Sequence, residues 1–150
     1  MSASVGGGVH TFQVIEDWAQ LPSGWSANMA AVAVDSQDRV YGLSRGEHPV
    51  ILVDKGGQYL DSWGTGLFEF PHSIRVDRQD NLWIVDCMHG QIYKFTPRGE
   101  LLLAIGSKGL RSDTGARACD GIHGYRTVTR AGGPFNLPTD DAVAASGDLF

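Results

Sequence analysis

PHSIRVDRQDNLWIVDCMHGQIYKFTPRGELLLAIG, residues 71–106, holds four short apolar runs separated by turn residues. They are IRVD (74–77), LWIVD (82–86), QIYKF (91–95) and LLLAIG (101–106). Each is rich in β-branched or aromatic side chains and is bounded by Gly, Pro, Asp or Asn, which is the pattern of strands joined by tight turns. Upstream, VAVD (32–35), VYGL (40–43) and VILVD (50–54) repeat the theme. No stretch keeps a 3.6-residue apolar period over several turns, so little helix is expected.

The spacing says more than the runs themselves. Asp35 and Asp77 stand 42 residues apart, and so do Gln37 and Gln79, Asp38 and Asp80, Gly57 and Gly99, and Gly64 and Gly106. Apolar positions keep the same offset: Val34 with Val76, Val40 with Leu82, Tyr41 with Trp83, Val53 with Phe95, Leu60 with Leu102. A period near 40 residues that contains four strand signals predicts the blades of a β-propeller. Strands are expected near 30–35, 39–44, 50–54 and 58–63, and again near 72–77, 81–86, 91–96 and 100–105. A third copy begins late, because Phe68 and Pro71 recur as Phe135 and Pro138, 67 residues on, with Val143 and Leu149 then matching Val76 and Leu82. The expected organisation is an unstructured stretch over 1–10, blades over about 25–66 and 67–109, a loop insertion over 110–134, and an incomplete blade over 132–150. Thr11 to Leu21 is expected to supply an outer strand. On this reading the fold is all-β, a truncated chain holding the first part of the propeller.

Composition narrows the partners. The 150 residues include 20 glycines, and the net charge of −5 is offset by no Lys/Arg cluster. A nucleic-acid surface is therefore not expected. The longest apolar run, Met29 to Val34, has six residues, against roughly 20 for a membrane-spanning helix. The N-terminus MSASVGGGVHTF shows neither a basic nor an apolar signal region, so the cytoplasm is the default expectation. Cys87 and Cys119 are then expected as free thiols.

The repeat, together with its D-N-L-W-I-V-D and Q-I-Y-K-F-T-P-R-G-E segments, resembles the NHL repeat, which implies a six-bladed propeller. Residues 67–109 match that pattern throughout and 25–66 more loosely. The segment from Val32 through SRGEH to FPHSI is similar to the peptidyl-α-hydroxyglycine α-amidating lyases and their bacterial NHL relatives. That resemblance implies a carbon–nitrogen lyase that releases a peptide amide and glyoxylate. It implies a catalytic role for Arg45, in the R-G-[D/E]-H turn, and a zinc-ligand role for His72, which opens the P-H motif. It also implies a structural calcium held by the backbone carbonyls of Val32 and Ile74. Val32 and Arg45 are 13 residues apart, as in that family, and Ser73 replaces the Gly usual after the histidine. The family's other zinc histidines, a catalytic Tyr and a calcium-ligating Asp would lie beyond Phe150. The implied partner is a small peptide-like substrate.

Each candidate also has a plainer reading. His72 serves equally as a hydrogen-bonded histidine at a blade edge, and Thr139 holds its place in the third copy. Arg45 can pair with Glu47 across a solvated turn, which contributes little. His48 and His89 are expected as turn or surface residues, and His123 sits in the insertion. Asp35, Asp77 and Asp86 invite a catalytic reading, but a residue that serves every blade is expected to tie a turn through its side-chain oxygen. Trp63, Trp83, Tyr41 and Phe95 are expected in the core. The alternative function is a non-catalytic propeller whose loop face binds a protein or small ligand.

Overall fold

The computed structural model describes residues 4–26, 28–110, 128, 133 and 135–150. Two four-stranded antiparallel meanders make up most of these residues, with no helix among them. A short hairpin precedes them: β1 (Ser4–Gly7) pairs with β2 (His10–Gln13). The first meander runs β3 (Met29–Val34), β4 (Val40–Ser44), β5 (Val50–Val53) and β6 (Tyr59–Trp63), bonded in that order. The second runs β7 (Pro71–Val76), β8 (Leu82–Asp86), β9 (Gln91–Phe95) and β10 (Leu101–Ile105). The eight strands of the two meanders lie within about one residue of their expected bounds, whereas the stretch 1–10, expected to be unstructured, holds β1 and the first residue of β2. The two inner strands, β3 and β7, pack directly on each other, which is how neighbouring propeller blades meet.

Core side chains fill the space between the sheets. Tyr41, Leu43, Val50 and Leu52 of the first sheet meet Ile74, Leu82, Ile84, Tyr93 and Phe95 of the second in one cluster. A second cluster faces the other way: Trp83, Val85 and Ile92 carry Ile105, Phe135, Val143 and Leu149. The second blade is thus apolar on both faces, with a packed neighbour on each side. Of the four aromatics expected in the core, Tyr41, Trp83 and Phe95 are buried, and Trp63 packs at the cluster edge.

The turns between inner and second strands are built alike. Asp35 Oδ1 accepts N–H bonds from Gln37 and Arg39, and Asp77 Oδ1 accepts them from Gln79 and Asn81. Asp38 and Asp80 both adopt φ +61, a left-handed conformation that aspartate tolerates better than most side chains. The late copy folds the same way: Val143 pairs with Leu149, Ala144 N–H bonds Asp148 O, and Gly147 takes the left-handed place at φ +92. Gly99 shows why glycine recurs before the fourth strand. At φ +86, a Cβ there would lie 2.7 Å from the Trp63 ring.

The N-terminal stretch takes a shape of its own. Within 11–21, Thr11 to Gln13 belong to the β1–β2 hairpin, and Gln20 bridges Gln58 at the β5–β6 turn. Trp25 stacks on His48 with ring centroids 3.3 Å apart and meets the Tyr59 edge.

Candidate functional site

Antiparallel ladders alternate residues that bond their partner with residues that face away from it. Asp35 N–H bonds Arg39 O and Asp77 N–H bonds Asn81 O, which sets the phase of each ladder. Counting inward, the backbone groups of Val32 (paired with Gly42) and Ile74 (paired with Ile84) face away from β4 and β8. Both lie on the inner edge at equal register. Their side chains differ in burial, since Ile74 is sealed between the blades whereas Val32 is exposed.

His72 lies where the β7–β8 register slips, between the pairs Pro71–Asp86 and Ser73–Val85. The same slip occurs between Met29 and Ala31, with Ala30 in the equivalent place. The bulge frees His72 from the ladder and leaves its ring half-buried, 6.4 Å from that of Phe70.

Arg45 follows β4 at the same end of the sheet pair. Its guanidinium carbon lies over the Phe70 ring, 4.1 Å from the centroid, and its Nε donates to Pro71 O at 3.2 Å. No ion pair joins it to Glu47, and no acceptor engages its Nη groups, among the described residues. Arg45 and His72 are thereby gathered around the Phe70–Pro71 dipeptide. Phe70 was not singled out from the sequence. The available signal was its place two residues before His72, where the first copy carries Asn28.

Asp86 holds that dipeptide in place. Its fully buried carboxylate accepts N–H bonds from Glu69 (2.6 Å), Phe70 (3.1 Å), Met88 (3.1 Å) and His89 (3.0 Å). Asp86 ties its own turn, as expected, and also anchors the segment leading to His72. Its counterpart is not an aspartate but Ser44, whose hydroxyl accepts from Gly46 N–H. His89 lies in a turn, as expected, but not at the surface. The Asp86 turn folds it inward to 4% exposure, with Nδ1 2.9 Å from Tyr93 Oη and 3.3 Å from Asp86 Oδ2. His48 is half-buried against Trp25, whereas Cys119 and His123 fall outside the described residues.

Burial, reinforced by the Asp86 charge, pushes the Tyr93 hydroxyl up to about 12. Tyr93 is therefore a neutral phenol at neutral pH, bonded to Gln91 at 2.7 Å, and no base. Asp141 is a second residue that sequence reasoning passed over. In the late copy it occupies the register of Val32 and Ile74, and it is 5% exposed. Its Oδ1 accepts from Ser73 Oγ, its Oδ2 has no partner among the described residues, and Arg75 pairs with the adjacent Asp140. Burial first, then the Asp140 charge, raises its pKa against the Ser73 bond and Arg75. An acid where both other copies carry an apolar residue was a visible irregularity.

The donor types present suit the implied ions: an imidazole for zinc, and inward-facing backbone groups for calcium, which takes oxygen ligands. Among the described residues no three His, Cys, Asp or Glu side chains form a metal-binding group. No described helix is long and apolar enough to cross a membrane.

No family model matches the chain. Over 63 residues, 42% of its length, it is 35% identical to peptidyl-α-hydroxyglycine α-amidating lyase 1 of Drosophila melanogaster. Over 106 residues, 69% of its length, it is 28% identical to lyase 2 of the same fly. The chain resembles the amidating lyases. It spans 12% and 22% of the lengths of those two lyases. Among solved structures, virginiamycin B lyase from Staphylococcus aureus matches 68% of the chain and 36% of its own, with TM-score 0.51 and 16% identity. That likeness concerns the fold, and it makes the two sheets propeller blades.

Proposed function

We propose that this chain forms blades of a six-bladed NHL-type propeller lyase that cleaves a peptidyl-α-hydroxyglycine into a peptide amide and glyoxylate. One observation carries the reading: a guanidinium whose Nη groups meet no acceptor among the described residues and an imidazole freed by a bulge share one end of the inner strand pair. The amidating-lyase relatives supply the substrate class.

Arg45 receives the substrate carboxylate through paired charge-assisted N–H bonds and so orients the hydroxylated carbon. In the reaction the hydroxyl gives its proton to a base, and the oxygen electron pair closes a carbonyl. The Cα–N bond breaks as it does so, its electron pair passes to nitrogen, and the proton taken from the hydroxyl is returned there, so the nitrogen leaves as the neutral primary amide. The resemblance implies a Tyr outside residues 1–150 as that base. His72 would contribute one nitrogen to zinc, which supplies Lewis acidity when bound. The Val32 and Ile74 carbonyls would face calcium, stiffening the inner edge.

Glyoxylate release from N-benzoyl-α-hydroxyglycine by the full-length protein tests the reading. Arg45→Ala is expected to lower kcat/KM by about 100-fold, the scale of a lost bidentate charged pair. His72→Ala is expected to abolish turnover and reduce bound zinc. A zinc-loaded wild type that releases no glyoxylate would overturn the lyase in favour of a binding platform.

A further inference from the structure

Phe70 has no evident packing duty. It joins neither core cluster and is 38% exposed, yet the backbone carrying it is fixed at every polar group. Its N–H bonds Asp86 Oδ1, its C=O accepts the Cys87 N–H at 3.1 Å, and the preceding Glu69 N–H bonds Asp86 Oδ2. A large, partly exposed apolar ring is thus carried on an anchored backbone, with the Arg45 guanidinium against its face. Pro71 O holds the same guanidinium by Nε. A guanidinium restrained by one face and by Nε keeps its Nη edge without an acceptor among the described residues. An arginine that is already ordered loses less rotamer freedom when it binds.

We propose that Phe70 is a positioning residue that preorganises Arg45, so that the Nη edge meets the carboxylate of an N-acyl-α-hydroxyglycine beside His72. This rests on the reading of Arg45 as the carboxylate clamp. Phe70 touches no reacting atom and acts only through Arg45. The first copy has no such device, since Asn28 stands where Phe70 does and Ala30 where His72 does.

The test uses N-benzoylglycine, a carboxylate that cannot turn over, titrated calorimetrically into the full-length protein. Phe70→Leu is expected to weaken binding about five- to twentyfold, the range of a cation–π contact. Phe70→Trp, which keeps an aromatic face, is expected to bind within about twofold of wild type. The Arg45 Nε–H proton provides a second readout. Shielded by the ring in the wild type, it should move downfield in Phe70→Leu and stay shielded in Phe70→Trp. Wild-type affinity in Phe70→Leu, alongside weak binding in Arg45→Ala, would overturn the role of Phe70 and leave the clamp standing. So would a Phe70→Trp variant as weak as Phe70→Leu. If Arg45→Ala binds like the wild type, or the wild type binds nothing, the clamp reading falls and this inference falls with it. Should Phe70→Leu melt early, the Trp comparison and the Nε–H shift of the wild type decide alone. An unshielded wild-type proton refutes the stacking.

Discussion

The two ends of the paired blades obey different rules. At the Asp35/Asp77 end the copies agree in their backbone: the same carboxylate oxygen takes the same two N–H bonds, and Asp38 and Asp80 share φ +61. At the other end they part company. Asn28 becomes Phe70, Ala30 becomes His72, Ser44 becomes Asp86 and Arg45 becomes Cys87 across the same 42-residue offset. The backbone persists there, since Arg45 N–H bonds Asn28 O as Cys87 N–H bonds Phe70 O. Each blade must close the same turn, so selection for folding keeps that end alike. A site shared on the inner edge takes a different group from each blade, so that end cannot stay periodic. The lesson is that the repeat carries the fold and its breaks carry the candidate chemistry.

The sharpest way to break this division is at Asp77. Its carboxylate accepts Trp83 Nε1–H at 3.1 Å and Lys94 Nζ at 2.8 Å besides its turn bonds. Burial pushes its pKa up, but the bonds from Lys94, the Asn81 backbone and Trp83 outweigh that and hold it below the usual value. Asp77→Ala is expected to destabilise by about 3 kcal/mol in urea unfolding, because buried donors lose their acceptor. Carboxylate affinity of the folded fraction should stay at the wild-type level. The contribution of a lowered carboxylate is present above its unfolded value of 3.8 and lost as pH falls through the folded pKa. The gap between variant and wild type should therefore shrink below about pH 4.

A smaller effect of opposite sign is expected at Asp141, the acid sitting at an apolar register. Its pKa is raised, so its contribution is fullest below the unfolded value of 3.8 and lost as pH rises through the folded pKa. Asp141→Val restores the residue type found at Val32 and Ile74. It should raise stability at pH 7 by about 1 kcal/mol, with the gain growing as pH climbs from about 4. Thermal melts across that range check it. A gain that shrinks with rising pH would contradict the burial account.

Most of the fold was legible in the sequence because the blade is written twice. Ten agreements at one offset located eight strands, and the apolar positions within them named the cores. The site was legible only where a resemblance named it, as with Arg45 and His72. Phe70 passed as one more aromatic, since a stack on Arg45 arises from two loops meeting in space. His89 read correctly as a turn residue, but its burial was not visible, because Gly90 at φ +67 and the Asp86 bonds together fold it inward. Asp86 itself was grouped with Asp35 and Asp77 although Ser44 holds its place in the other copy.

The central claim, that ligand chemistry belongs to the end where the repeat breaks, is tested most directly by following backbone amide resonances as N-benzoylglycine is added to the full-length protein. The account predicts shifts concentrated at Arg45–Glu47 and Glu69–Ser73, with Gln37–Arg39 and Gln79–Asn81 unmoved. Shifts centred on the Asp35 and Asp77 turns, or none near Arg45 at saturation, would contradict it.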